Sequence, residues 1–163
     1  MKRILFLLLL PVFCSAQDLT GIWRGTFYTN RIESILGSNN KYEVQFDNSG
    51  RAVKGVTYSY QNTTFYGKAS LIGMWTPDTK NLIFKEEKLL EFRSEGGEEA
   101  VEMFTCYLQY RKEGNKEILE GDYTGRNYIT GKDGGAGKIY LERVEKSDFK
   151  KEDFLSKKEN KIK

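Results

Sequence analysis

Apolar side chains fall at every second position over most of this chain. In KYEVQFD, Tyr42, Val44 and Phe46 alternate with Glu43, Gln45 and Asp47, the period of a strand with one face on a core and the other on water. DNSG (47–50) supplies turn residues, and AVKGVTYSY (52–60) returns with the β-branched and aromatic residues that suit a pleated surface. FYGKASLIGMW (65–75) follows, then a break at Pro77, which cannot donate to a ladder. LIFKEEKLLEF (82–92) reads as a long strand with a bulge near Glu86-Glu87. VEMFTCYLQYR (101–111), EILEGDYTG (117–125) and KIYLERV (138–144) complete the set, and LTGIWRGTFYT (19–29) opens it. The gaps between strands are mostly turn-sized, and only the C-terminal tail offers helical spacing. The pattern predicts an all-β chain folded as an eight-stranded antiparallel up-and-down β-barrel, since closure hides both sheet edges. A barrel of eight strands is filled by its side chains or holds one small ligand.

Glycine recurs inside the strands. LTGIW, LIGMW and LEGDY begin at Leu19, Leu71 and Leu119, with VKGVTY at Val53 a looser copy. Glycine in a strand permits a bend or a close backbone approach, and curving a sheet into a small barrel needs such places. LTGIW resembles the first strand of the avidins, and Gly21-x-Trp23 resembles the lipocalin first-strand signature; both belong to the calycin-type barrels. SGRAVKGVTY is similar to the avidin segment in which a turn glycine precedes a Gly-x-Tyr strand. The resemblance implies an eight-stranded barrel closed at one end by Gly21, Trp23 and an arginine from the last strand, for which Arg143 in LERV is the candidate. The lipocalin disulfide and the later avidin tryptophans have no counterpart.

The chain ends add two segments. Lys2 and Arg3, a short apolar run from Ile4 to Phe13, and Cys14-Ser15-Ala16 before Gln17 form an export signal, residues 1–16. The apolar run is too short to span a bilayer comfortably. The ending SAQ resembles that of exported proteins from Bacteroidota-type bacteria. Acylation of Cys14 is the alternative processing, disfavoured by the bulky Phe13 before it. Residues 17–145 form the barrel domain, and the lysine-rich tail 146–163 is expected to be solvated, partly disordered or a short helix carrying Phe149, Phe154 and Leu155. The reading is therefore of a periplasmic or secreted protein with no transmembrane segment after cleavage.

Composition then removes chemistry. Losing Lys2 and Arg3 from the 26 basic residues leaves 24 against 23 acidic ones, so the mature chain lacks the basic excess of a nucleic-acid binder. Histidine is absent and Cys106 is the single cysteine left after cleavage. Ser-His-Asp and Cys-His sites, histidine acid–base catalysis and most zinc sites go with them; no cofactor and no metal is expected. Carboxylate-only chemistry among Glu86, Glu87, Glu91, Glu120 and Asp122 stays open, against the ordinary reading that these acids line the outer face.

The tyrosines are the binding candidates. Tyr58, Tyr66, Trp75, Tyr107 and Tyr123 are expected to wall a ligand site, because flat rings with polar tips suit a small amphipathic molecule; the other reading packs them in the core. TNRIESILGSNNK (29–41) is a candidate lid over one barrel mouth, and the glycine-rich stretch 126–137 reads as a mobile hairpin loop rather than an anion cradle. Two functions remain. One is an exported, lipocalin-like, non-enzymatic binder of a small apolar or amphipathic ligand. The other is an envelope or secreted protein-interaction module whose barrel is packed solid.

Overall fold

The computed structural model describes residues 17–29, 40–94, 97 and 101–156. The export-signal candidate 1–16, most of the lid candidate 29–41 and the end of the tail lie outside them. The strands are β1 (Gly21–Thr29), β2 (Lys41–Ser49), β3 (Ala52–Tyr60), β4 (Tyr66–Thr76), β5 (Asn81–Arg93), β6 (Glu102–Glu113), β7 (Lys116–Asn127) and β8 (Asp133–Val144). Each pairs antiparallel with the next, and β8 pairs back onto β1, so the sheet is a closed up-and-down barrel as the pattern predicts. The architecture is compatible with a calycin-like fold.

Period two sorts the side chains. Trp23 and Phe27, Tyr42, Val44 and Phe46, Leu82 and Phe84, and Phe104 to Tyr110 at even numbers all face the inner core. One end of the barrel is solid. There Trp23 is fully buried, stacks on Phe46 with ring centroids 6.3 Å apart, and meets Tyr110 edge-on at 6.3 Å. Its indole N–H donates to the Leu19 carbonyl at 2.9 Å, which draws the chain before β1 across the barrel end. Arg143 lies opposite Trp23 in the β1–β8 register, with its guanidinium carbon 4.9 Å from the ring centroid. The same guanidinium donates to the Asp18 carbonyl at 2.7 Å and the Thr20 carbonyl at 3.3 Å, and pairs with Glu117 at 3.0 Å.

The two glycines flanking Trp23 serve different ends. Gly21 has φ +146°, a conformation that side chains disfavour. At Gly25 a Cβ would sit 1.9 Å from the Tyr140 carbonyl oxygen, so β8 can cross β1 this closely only where the side chain is missing.

Two expectations need correction. The glycine-rich stretch 126–137 is largely strand: β7 runs to Asn127 and β8 begins at Asp133. Of its glycines, Gly137 serves close packing, since a Cβ there would meet the Tyr28 carbonyl oxygen at 1.8 Å, while Gly131 and Gly135 take positive φ. The tail through residue 156 is no solvated appendage. It straps across the outer face of β2 and β3, with a single helical turn at 153–156 and Leu155 buried. Phe149 stacks on Tyr58 at 4.2 Å and meets Tyr60 edge-on at 5.0 Å. Beneath the strap Glu43 and Gln45 are fully buried although they point outward. Glu43 accepts from Ser147 and from the Asp148 N–H at 3.0 Å; Gln45 accepts from the Glu152 N–H at 2.9 Å and donates to Ser147 and the Lys150 carbonyl. These buried polar groups are tolerated because their partners come from the strap.

Candidate functional site: the open mouth

The other end of the barrel is open. The bulge read near Glu86-Glu87 is present: pairing to β4 shifts between Ser70 and Leu71, skipping Glu87, and again between Lys68 and Ala69, skipping Leu90. Just before the first bulge β5 leaves β6. Their ladder runs from Asn81↔Gln109 to Lys85↔Thr105 and stops. The next pair in register would be Glu86 and Phe104. At that point the Phe104 N–H donates to the Glu86 carboxyl, Oε2, at 2.7 Å, so a side-chain oxygen replaces the backbone acceptor that the splayed strand no longer offers.

Glu86 shares the inner face of β5 with Leu82 and Phe84 and ends inside the barrel. Tyr42 donates its hydroxyl to Oε1 at 2.6 Å, and Thr57 donates to the same oxygen at 2.5 Å. Burial lifts the carboxyl above its ordinary value of 4.5, against the opposing pull of these three hydrogen bonds. The buried Tyr42 phenol and the Cys106 thiol are pushed well above their ordinary values by burial first and by the Glu86 charge second. Cys106 is fully buried, an unreactive thiol.

Above Glu86 lies a cavity of about 310 Å³. Glu86 retains partial exposure, and the cavity it lines is where that exposure opens. Phe27, Leu89, Phe92, Val101, Met103 and Phe104 supply its apolar wall, and Thr57, Ser59 and Glu102 its polar points. A wider hollow of about 450 Å³ adjoins it on the rim, sharing Gly67 and Phe92 and walled by Tyr60, Phe65, Tyr66 and Arg93. Comparison with protein-family models, with curated proteins and with solved structures finds no match. The chemistry of the site is therefore read from its geometry.

The five residues expected to wall a site are not brought together. Tyr58 points outward beneath the strap, its hydroxyl donating to Glu152 at 2.6 Å. Tyr107 is outward and 49% exposed. Trp75 is inward but belongs to the solid end, edge-on to Tyr110 at 6.2 Å. Tyr66 reaches only the rim hollow. Tyr123 is inward, packed on Phe104 at 4.5 Å and Phe27 at 5.7 Å below the mouth, with its phenol pushed up to about 12 by burial and by the charge of Glu102. The parity error on β3 has a physical source. The strap buries its outer face as well, so aromatic residues occur on both faces and stop marking the inside.

Sequence reasoning placed Glu86 among outer-face acids. The parity of LIFKEEK, with Leu82 and Phe84 inward, already puts Glu86 inward as well; that signal was available. Among the remaining acids considered, Glu120 pairs with Arg111 at 2.7 Å and Asp122 with Lys138 at 2.6 Å on the outer face. Among the described residues, no three of His, Cys, Asp and Glu gather as a metal set, and no helix is long and apolar enough to cross a membrane.

Proposed function

We propose that the chain is an exported, non-enzymatic, lipocalin-like barrel that carries a small apolar or amphipathic molecule in its open mouth. The observation that supports this reading is the 310 Å³ cavity over Glu86. It falls in the size range of small-ligand sites and joins an apolar wall to a few convergent polar groups. The solid end, closed by Trp23 and Arg143, leaves one mouth for a ligand to enter. Ion pairs such as Arg111–Glu120 and Lys116–Glu142 cover the outer face, the reverse of a membrane barrel with its apolar band outside and polar lumen.

Native mass spectrometry of protein purified from its own host tests the reading. The expected result is one small molecule bound per chain, released on unfolding. Export is tested on the same sample by N-terminal sequencing, with Gln17 the expected first residue; an acylated Cys14 would overturn the soluble form.

A row of exposed apolar residues favours the protein-interaction alternative. Met74, Ile83 and Tyr107 are cross-strand neighbours on the outer face of β4–β6, about half exposed. A stoichiometric protein partner and an empty mouth would select it. The two carboxyl groups on the mouth cavity, Glu86 and Glu102, favour carboxylate-based hydrolysis as a further alternative. Turnover of glycosides that is abolished by Glu102→Gln would select that one.

A further inference from the structure

The cavity has a sign. Among the described residues, its lining holds two carboxyl groups, Glu86 and Glu102, and no lysine or arginine. Elsewhere in the barrel, inner or strap-covered acids meet cations: Glu117 pairs with Arg143 at 3.0 Å, and Glu43 lies 3.7 Å from Arg24. Glu86 makes no ion pair among the described residues. All three of its protein partners are neutral donors: the Tyr42 and Thr57 hydroxyls on Oε1 and the Phe104 N–H on Oε2. A carboxylate has about four acceptor positions, so Oε2, which takes the Phe104 N–H alone among the hydrogen bonds named, keeps capacity for a further donor. A desolvated carboxylate is costly until a cation meets it.

Resting on the ligand-binding reading above, we infer that the mouth selects molecules with a protonated amine head on a compact apolar body, the ammonium seated against the Glu86 carboxylate. The ammonium donates to Oε2, and the apolar body fills the space between Phe27, Leu89, Phe92 and Phe104. The three phenyl rings add a second attraction, since an ammonium held near a phenyl face is favoured by the ring quadrupole. The volume sets the size. A water molecule takes about 30 Å³, so 310 Å³ accepts roughly ten groups of that size: one aromatic ring with a short aminoalkyl arm, or an alkylamine of similar bulk. A fatty acid of the same bulk is rejected, because its carboxylate would be desolvated against that of Glu86.

The test is a matched trio differing only in the head: 2-phenylethylamine, 2-phenylethanol and phenylacetate, titrated calorimetrically into the full mature chain at neutral pH and low salt. The amine is expected to bind about 10- to 100-fold more tightly than the alcohol, the range a charge-assisted hydrogen bond supplies, and phenylacetate least. In Glu86→Gln, checked for an intact melting transition, amine and alcohol converge while alcohol binding persists. A readout without substitution guards against misfolding of that variant. Carboxyl ¹³C titration of the wild type should show the raised Glu86 transition move down with saturating amine and stay with alcohol. Tyr42, Thr57, Cys106 and the Phe104 N–H face this carboxyl, and Glu102 shares its cavity, so their signals are followed in the same experiment. Alcohol or phenylacetate binding as tightly as the amine overturns the head-group inference and leaves a binding mouth in place. A wild type that takes up none of the three at millimolar concentration overturns the inference. If its host-purified form also carries no small molecule, the ligand-binding reading falls with it.

Discussion

Truncating Trp23 should do more damage than any other single change at the solid end. The ring is fully buried, so Trp23→Ala opens a cavity among Phe46, Tyr110 and the Arg143 guanidinium. Loss of a buried Trp side chain costs about 3–5 kcal/mol. The same change orphans the Leu19 carbonyl, which accepts the indole N–H at 2.9 Å in a buried setting, and that places the loss at the top of the range. Trp23→Phe separates the two parts. It keeps most of the ring and removes the donor, so about 1–3 kcal/mol is expected, the cost of an unpaired buried acceptor. Trp75 is the internal control. It is equally buried, but its indole N–H meets no acceptor among the described residues, so Trp75→Phe should cost less than Trp23→Phe. Urea unfolding followed by circular dichroism, with the remaining tryptophan as a second probe, yields all three values. A loss below about 1 kcal/mol for Trp23→Ala would mean an unpacked ring. Equal losses for the two Trp→Phe changes would refute the tether to Leu19.

Gly25→Ala should destabilise by about 1–3 kcal/mol or more, because its Cβ would meet backbone 1.9 Å away rather than a side chain that can rotate; thermal melts beside Gly67→Ala, whose Cβ would meet only Phe92 Cδ2 in ordinary contact at 3.8 Å, check it. Phe149→Ala should release the strap from Tyr58 and Tyr60, costing about 1.5–3 kcal/mol and speeding amide exchange at Asp148 and Glu152 while the barrel stays folded. Glu86 makes stability fall as pH rises. Its folded carboxyl titrates above 4.5, so the native state binds more protons than the unfolded chain between that value and its own raised one. Glu91, Glu120 and Glu142 are held low, Glu91 chiefly by the Tyr66 hydroxyl, Glu120 by Arg111 and Glu142 by Lys116; they withdraw stability only as pH drops below 4.5. Glu86→Gln should therefore flatten the slope above pH 4.5 and leave the acid limb unchanged; an unaltered slope above 4.5 would refute the assignment.

Local pattern sufficed for the barrel. Alternation in β6 has one solution, since that strand buries one face, and eight alternating strands leave no free edge only when closed. The bulge at Glu86-Glu87 was legible too, because two consecutive acids interrupt an apolar alternation. What tertiary structure decided was the meaning of each face. Glu43 and Gln45 carry every local mark of solvent-facing residues, yet a strap more than a hundred positions away covers them and supplies their hydrogen bonds. That same strap makes Tyr58 and Tyr60 outer-face core, which no period within β3 reveals. Glu86 is the opposite case. Parity points it inward, but only the splitting of β5 from β6 creates both the orphan N–H it satisfies and the cavity above it. A strand's own residues determine which side chains share a face. What covers that face depends on chain closure and on contacts distant in sequence, and those decide whether a polar group there is solvated, structural or a site.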